Sequence, residues 1–401
     1  MTNRIGRPFV VMGAVVAAQL ALPPAARSQS RVNFVPSVTV SSVFDDNPFA
    51  TTTGSADQMT LLTPGIQGLF ETPVVSINGL YSFEMQRALD HSALNNLDAR
   101  RHGVLTAAFR QNSKSTLTVD GNYDRTDTAG DLNFVTGLLL ERRRAQRWQV
   151  GPSMVYQVTP RTIVSAAYTW TNEGIAGTPA EDEHVVRADV TRQLSPRSAV
   201  SVGYLERHFV NEADARTSYV PLLGWTYRAT PFTRLTLQAG PRRSARGGAA
   251  PEVVAAFARK GTHLVGFGVD YWRGESITLG VIGPVEVNSA TAQVTSPVIK
   301  KVAVGLYGGF FNIDTISQGK ARVYHGEILA VRSPIGPFVV ALSYGADFQR
   351  GDVRTSLLSD ETVVRHIVRL RLIASPPRLG RSFQPEDPLE LLRKPSHGAN
   401  R

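Results

Sequence analysis

The 401-residue chain has no cysteine. This excludes disulfide scaffolds, cysteine-ligated zinc, iron–sulfur clusters, thiol nucleophiles and lipidation on an amino-terminal cysteine. Lysine is scarce too. It occurs only at 114, 260, 300, 301, 320 and 394, so arginine supplies 37 of the 43 basic residues. After the first thirty residues no run reaches eighteen apolar residues, so no transmembrane helix is expected. HExxH, GxSxG and glycine-rich phosphate loops are all missing, and the eight histidines fall in no nucleophile or metal pattern. The expectation is a protein without enzymatic activity and without cofactors. Glu181-Asp182-Glu183-His184 offers divalent-cation ligands at a loop base, but a solvated charge run is the simpler reading, as it is for Asp45-Asp46.

What is present begins with an address. Arg4 and Arg7 precede an apolar stretch from Phe9 to Leu22, and small residues follow. This is the pattern of a secretory signal peptide, residues 1–28, with cleavage after Ser28 and Ser30 as the alternative. Export argues against nucleic acid as the partner of a chain with net charge +10.

Beyond residue 30 the chain alternates with period two, the mark of half-exposed strands. Leu117, Val119 and Tyr123 oppose Thr118, Asp120 and Asp124; Val364, Val368, Leu370 and Leu372 oppose Arg365, Arg369 and Arg371. Many runs reach ten residues, near the 9–11 that cross a bilayer at a tilt and longer than most soluble strands. Thr159-Pro160-Arg161-Thr162, Ser195-Pro196-Arg197-Ser198 and Thr230-Pro231-Phe232-Thr233 read as tight turns. Further short turns are expected near Thr72-Pro73, Asn112-Ser113-Lys114, Arg273-Gly274, Ser296-Pro297 and Ser333-Pro334. Longer polar connections are expected at 44–58, 89–98, 126–138, 172–182, 211–217, 244–257, 313–320 and 351–360. Short turns on one side and long loops on the other is the outer-membrane asymmetry. The expected fold is all-β: an antiparallel transmembrane β-barrel over 29–374 of eighteen strands, or sixteen given a weak join near Gly283-Pro284. Tyr168, Trp170, Tyr219, Trp225, Tyr227, Tyr271 and Trp272 lie near strand ends, where aromatic rings suit the membrane interface. The proline-rich segment 375–401 is expected to be a disordered periplasmic tail.

In such a barrel the apolar faces meet lipid and the polar faces line the lumen. Arg100, Arg110, Arg147, Arg187, Arg228, Arg234, Arg242, Arg322, Arg365, Arg369 and Arg371 are the expected lumen residues. A basic lining concentrates anions and favours their passage. The alternative is internal pairing with lumen carboxylates such as Glu84, Asp120, Asp124 and Asp189. A third role, attraction to anionic lipopolysaccharide, suits Arg142, Arg143 and Arg144 near a long loop.

Phe44-Asp45-Asp46-Asn47-Pro48-Phe49 follows a first strand containing Pro36; a Thr63-Pro64-Gly65 strand and a strand with Tyr81 come next. This segment resembles the outer-membrane β-barrel porins associated with exopolysaccharide gene clusters. The resemblance implies a passive export channel for an exopolysaccharide, acidic given the arginines, working with periplasmic export proteins. The alternatives are a diffusion porin preferring small anionic solutes and a closed structural or adhesive barrel. Outer-membrane lipid and lipopolysaccharide are partners in every case.

Overall fold

The computed structural model describes residues 30–211, 215–244, 248–261, 265–299, 302–315, 319–335, 338–351 and 362–374. The expected signal segment 1–28 and the expected tail 375–401 lie outside the described residues, as does most of the 351–360 connection.

The strands are β1 (Arg31–Asp45), β2 (Asp57–Glu71), β3 (Val75–Ala88), β4 (Asn96–Asn112), β5 (Ser115–Thr126), β6 (Ala145–Thr159), β7 (Thr162–Ile175), β8 (Glu181–Ser195) and β9 (Ser198–Val210). They continue as β10 (Ala215–Thr230), β11 (Thr233–Ser244), β12 (Ala249–Arg259), β13 (Gly266–Ser276), β14 (Val285–Ile299), β15 (Val302–Thr315), β16 (Lys320–Ile335), β17 (Phe338–Arg350) and β18 (Thr362–Ala374). Each strand pairs with its sequence neighbours, and β1 also pairs with β18, from Val38↔Ala374 to Asp45↔Ile367. The result is a closed, antiparallel eighteen-stranded barrel. Closure satisfies the backbone polar groups along the ladder, which lipid cannot do.

The outer wall carries an apolar belt. Val40, Leu62, Val190, Val202, Leu223, Leu306, Leu342 and Leu370 are all exposed, each on the face opposite its polar neighbours. So much exposed aliphatic surface is stable only against lipid. The protein is therefore a bacterial outer-membrane barrel. Aromatic rings flank the belt. Tyr123 and Trp148 lie 4.1 Å apart between ring centres, and Trp225 stacks on Tyr227 at 5.7 Å. Trp272 departs from this pattern, packing inward against the largest buried cluster.

The seam continues past the last β1–β18 rung through the Asp45-Asp46-Asn47 segment. The Asp46 amide donates to the His366 carbonyl at 3.1 Å, and the His366 amide to Asp46 Oδ1 at 2.6 Å. Asn47 Nδ2 donates to the Val364 carbonyl at 3.0 Å. Asp45 is buried against Arg365. These carboxylates are not a solvated loop run; they extend barrel closure where the ladder stops.

Two expectations fail between 244 and 284. The stretch 244–257 is largely strand β12, not a loop, and Arg273-Gly274 lies within β13. The short connection between β12 and β13 falls instead at 260–265. Gly283-Pro284 lies in the outer connection before β14. Near Ser296-Pro297 and Ser333-Pro334 the strands run on to Ile299 and Ile335 before turning.

Candidate functional site

The inward face follows from register. On β18, Arg365, Arg369 and Arg371 alternate with exposed Val364, Val368, Leu370 and Leu372. Across the ladder, Asp347 faces Arg365, Ser343 faces Arg369, and Ser41 faces Arg371. The same alternation puts Arg100 and Arg110 of β4, Arg147 of β6, Arg187 of β8, Arg228 of β10, and Arg234 and Arg242 of β11 on the inward face. Arg322 is a correction. Its neighbours Ala321 and Val323 are the buried, inward residues, so Arg322 stands on the outward face with exposed Tyr324.

The reason is a reversal of polarity at the long-loop end of the barrel. Val285 and Val287 of β14, Ile313 of β15 and Val323 of β16 point inward and are fully buried. Their neighbours Glu286, Asn288, Asn312 and Arg322 take the outward face. Here the strands have risen beyond the lipid, so polar groups face out. The inside is apolar because loops fill it.

Two connections do the filling. In residues 127–144 a 3-10 turn, Ala129–Leu132, leads into Val135 and Leu138; in 277–284 the inserted residues are Leu279 and Val281. All pack in one cluster with Val285, Val287, Phe311, Ile313 and Val323. Burying each such side chain contributes about 1.5–3 kcal/mol. Asn133 fastens one loop to the other: its Oδ1 accepts from Thr278 Oγ1 at 3.0 Å and from the Leu279 amide at 3.1 Å, and its Nδ2 donates to the Leu138 carbonyl at 3.1 Å. Across the lumen, the Leu139 amide donates to Gln349 Oε1 at 2.7 Å. Gly137 has φ 62°, and a Cβ there would lie 3.0 Å from the Phe311 ring. Only glycine meets both demands without strain.

The sequence held a signal for this plug. Leu132, Phe134, Val135, Leu138, Leu139 and Leu140 form an apolar run inside a connection, and Ile277, Leu279, Val281 and Ile282 form another. A solvated loop carries no such run.

Several arginines in this upper region are neutralised. Arg147 pairs with Glu173 at 3.0 Å, Arg187 with Asp189 at 2.6 Å, and Arg207 with Glu252 at 2.6 Å. Arg242 reaches Glu286 at 3.1 Å and Glu252 at 3.5 Å. This last network accompanies a gap in the β10–β11 ladder between Tyr219↔Arg243 and Leu223↔Ala239, where Pro221 and Pro241 have no N–H to give. Arg100 lies 3.6 Å from Asp124, which also takes His102 at 2.8 Å. Arg142 is turned inward, donating to Thr128 Oγ1 and Gln86 Oε1, both at 3.2 Å. Burial pushes its guanidinium below its ordinary pKa. It ties loop to wall instead of facing lipid headgroups.

Below the plug the balance changes. Among the described residues, Arg369, Arg371, Arg110, Arg228 and Arg234 have no carboxylate within ion-pair distance, although Glu84 faces Arg100 across the ladder. From Arg365, beside the loop residue Asp131 at 3.9 Å, to Arg371 is six residues, about 20 Å of strand. Arg110, Arg228 and Arg234 continue the basic character to the short-turn mouth.

No family model and no curated protein matches the chain. Among solved structures it is similar to the outer membrane protein OpdK from Pseudomonas aeruginosa, with 12% identity and a TM-score of 0.47, over 86% of this chain and 98% of that one. Pseudomonas aeruginosa OccK7 (OpdD) matches with 14% identity and a TM-score of 0.47, over 86% and 99%. Acinetobacter baumannii OccAB4 matches with 12% identity and a TM-score of 0.44, over 86% and 98%.

Proposed function

We propose that the protein is a passive diffusion channel that prefers small anionic solutes. The carrying observation is the line of inward arginines on β18. Arg365 stands at the level of the folded-in loops, and Arg369 and Arg371 descend from it toward the periplasm. Arginines of the upper wall are neutralised by wall carboxylates; those below the plug keep their field. A guanidinium column in a confined aqueous space raises the local anion concentration and offers paired donors to a carboxylate or phosphate. The solute exchanges one guanidinium for the next, so no single site holds it tightly enough to stop flow.

The plug supports a compact solute over a polymer. Two loops meet through Asn133 and brace against Gln349 on the far wall, which narrows the outer mouth. An extended exopolysaccharide would need that fastening undone along its whole length of passage.

Conductance and reversal potential of the purified mature chain in a planar bilayer, under a salt gradient, test the reading. Stable channels with anion selectivity are expected. Cation-selective channels, or folded protein that passes no current, overturn it.

A further inference from the structure

We propose that the plug loop 277–284 is a proton-sensitive gate, whose seat on the barrel wall tightens as pH falls and loosens as pH rises, through the buried carboxyl group of Glu181. The proposal rests on the channel reading above, because it takes the plug to narrow the outer mouth. Glu181 opens β8 at the long-loop end, on the inward face. Its direct ladder partner is Glu173 of β7. Carboxylates placed opposite each other repel, and both of these are buried. Glu173 has a cation of its own, Arg147 at 3.0 Å. Among the described residues Glu181 has none within ion-pair distance. What it holds instead is the plug: its Oε1 accepts from the Gly283 amide at 2.6 Å.

Groups of both signs face this carboxyl group. Glu173 acts on it from β7 and Arg216 from β10, and the Asn211 side chain adds a hydrogen bond. Glu141 and Arg143, at the end of the other plug loop, line a small cavity between Glu181 and Leu279, with a volume of about 230 Å³. That cavity gives water and protons a way to the site. Glu183, the next inward residue of β8, is buried as well, and among the described residues it makes no hydrogen bond to the plug. Arg207, which faces Glu183 from β9, is held by Glu252 of β12 at 2.6 Å. Loss of water outweighs the hydrogen bonds and the attraction of Arg216. Burial thus pushes the Glu181 carboxyl up to about 6, from an ordinary 4.5.

The sign of the effect follows from these two values. Lifting the loop breaks the Gly283 contact and returns the carboxyl group to water, where it titrates at its ordinary value. The seated loop therefore binds the proton more tightly than the lifted one, and by linkage the proton favours seating. That support is complete below about 4.5 and is lost as pH rises through about 6. Between about pH 8 and about pH 5 the ratio of seated to lifted loop rises roughly eightfold.

The test compares the full folded chain with E181Q, whose side-chain carbonyl still accepts from Gly283 but cannot ionise. Conductance in planar bilayers is read from about pH 5 to about pH 8. Lumen carboxylates such as Glu84 and Glu327 titrate in both chains, so the difference between the chains is the readout. The two should conduct alike near pH 5, and the unaltered chain should conduct more as pH rises through about 6. Identical pH profiles, or an unaltered chain that gains on E181Q as pH falls, would overturn the proposal. Hydrogen exchange of the 277–284 amides, corrected for its intrinsic pH dependence, reads seating without any current. In the unaltered chain protection should be roughly eightfold higher near pH 5 than near pH 8. Equal protection at both overturns the gate, whatever the current does and whether or not E181Q folds. Protection that follows pH in a chain passing no anion-selective current would keep the proton-linked seat and sink the channel reading alone.

Discussion

Asp45 and Arg365 are 320 residues apart in the chain and meet through three contacts of 2.6–3.2 Å, both side chains buried. They lie on the first and last strands, so their contact is made only in the closed ring. Removing one partner leaves a buried charge uncompensated, which costs about 3–5 kcal/mol. D45A and R365A should therefore lower the urea midpoint of the folded barrel clearly, and D45N less. An unchanged midpoint in all three would show that the seam's ladder alone sets stability.

Gly137 is the tightest point of the plug. G137V adds a branched side chain where φ is 62° and Phe311 leaves no room. The loop should leave its seat while the barrel stays folded. Single-channel conductance should then rise, as it should on deleting residues 130–140. A conductance equal to that of the unaltered chain would mean that the loop does not limit flow.

Asn133 joins two loops through one side chain. N133A strips acceptors from Thr278 and Leu279 inside a buried cluster, and each lost partner costs about 1–3 kcal/mol. The expected result is not a wider pore but a noisier one, with open-state current fluctuating as the loops part and rejoin. Quiet traces would place the fastening elsewhere.

Selectivity should follow Arg369 and Arg371. A unit charge about 4 Å from a passing ion is worth about 1 kcal/mol in water, or about fivefold in local preference. R369Q and R371Q should each move the reversal potential toward zero, and the double variant more so. The effect should shrink at high salt, where screening shortens the reach of each charge. R101Q, on the outer wall, serves as the comparison and should leave the reversal potential in place.

How much of this was legible in the sequence depended on where a strand meets lipid. Val364 to Leu372 alternates cleanly because lipid lies on one side and water on the other. Pro160, Pro196 and Pro231 marked their turns because proline presets the turn conformation. β12 is not legible as a strand because Ala249, Ala250, Ala255, Ala256 and Ala258 carry no sidedness. Alternation places Arg322 in the lumen, a rule that holds only within the bilayer; above it, with loops filling the barrel, Ala321 and Val323 turn inward and the arginine turns out. The plug was hidden for a related reason. Its apolar run stood between strands, in a stretch otherwise read as polar loop. Asp45 looked like a loop charge because its partner lies at the other end of the chain.

The buried cluster inside the barrel also constrains the order of assembly. Leu138 and Leu139 must meet Phe311, Val323 and Gln349, and the last of these contacts spans 210 residues. In most proteins an apolar core gathers early and the rest condenses around it. Here the core has no walls until the late strands have joined the early ones, and contacts this distant in sequence form slowly. The loop's leucines therefore stay uncovered through export and membrane insertion, and they become hidden only in the last stage of folding. That interval is when the run is most open to non-native contacts, since uncovered apolar surface on an incompletely folded chain is what drives misassociation.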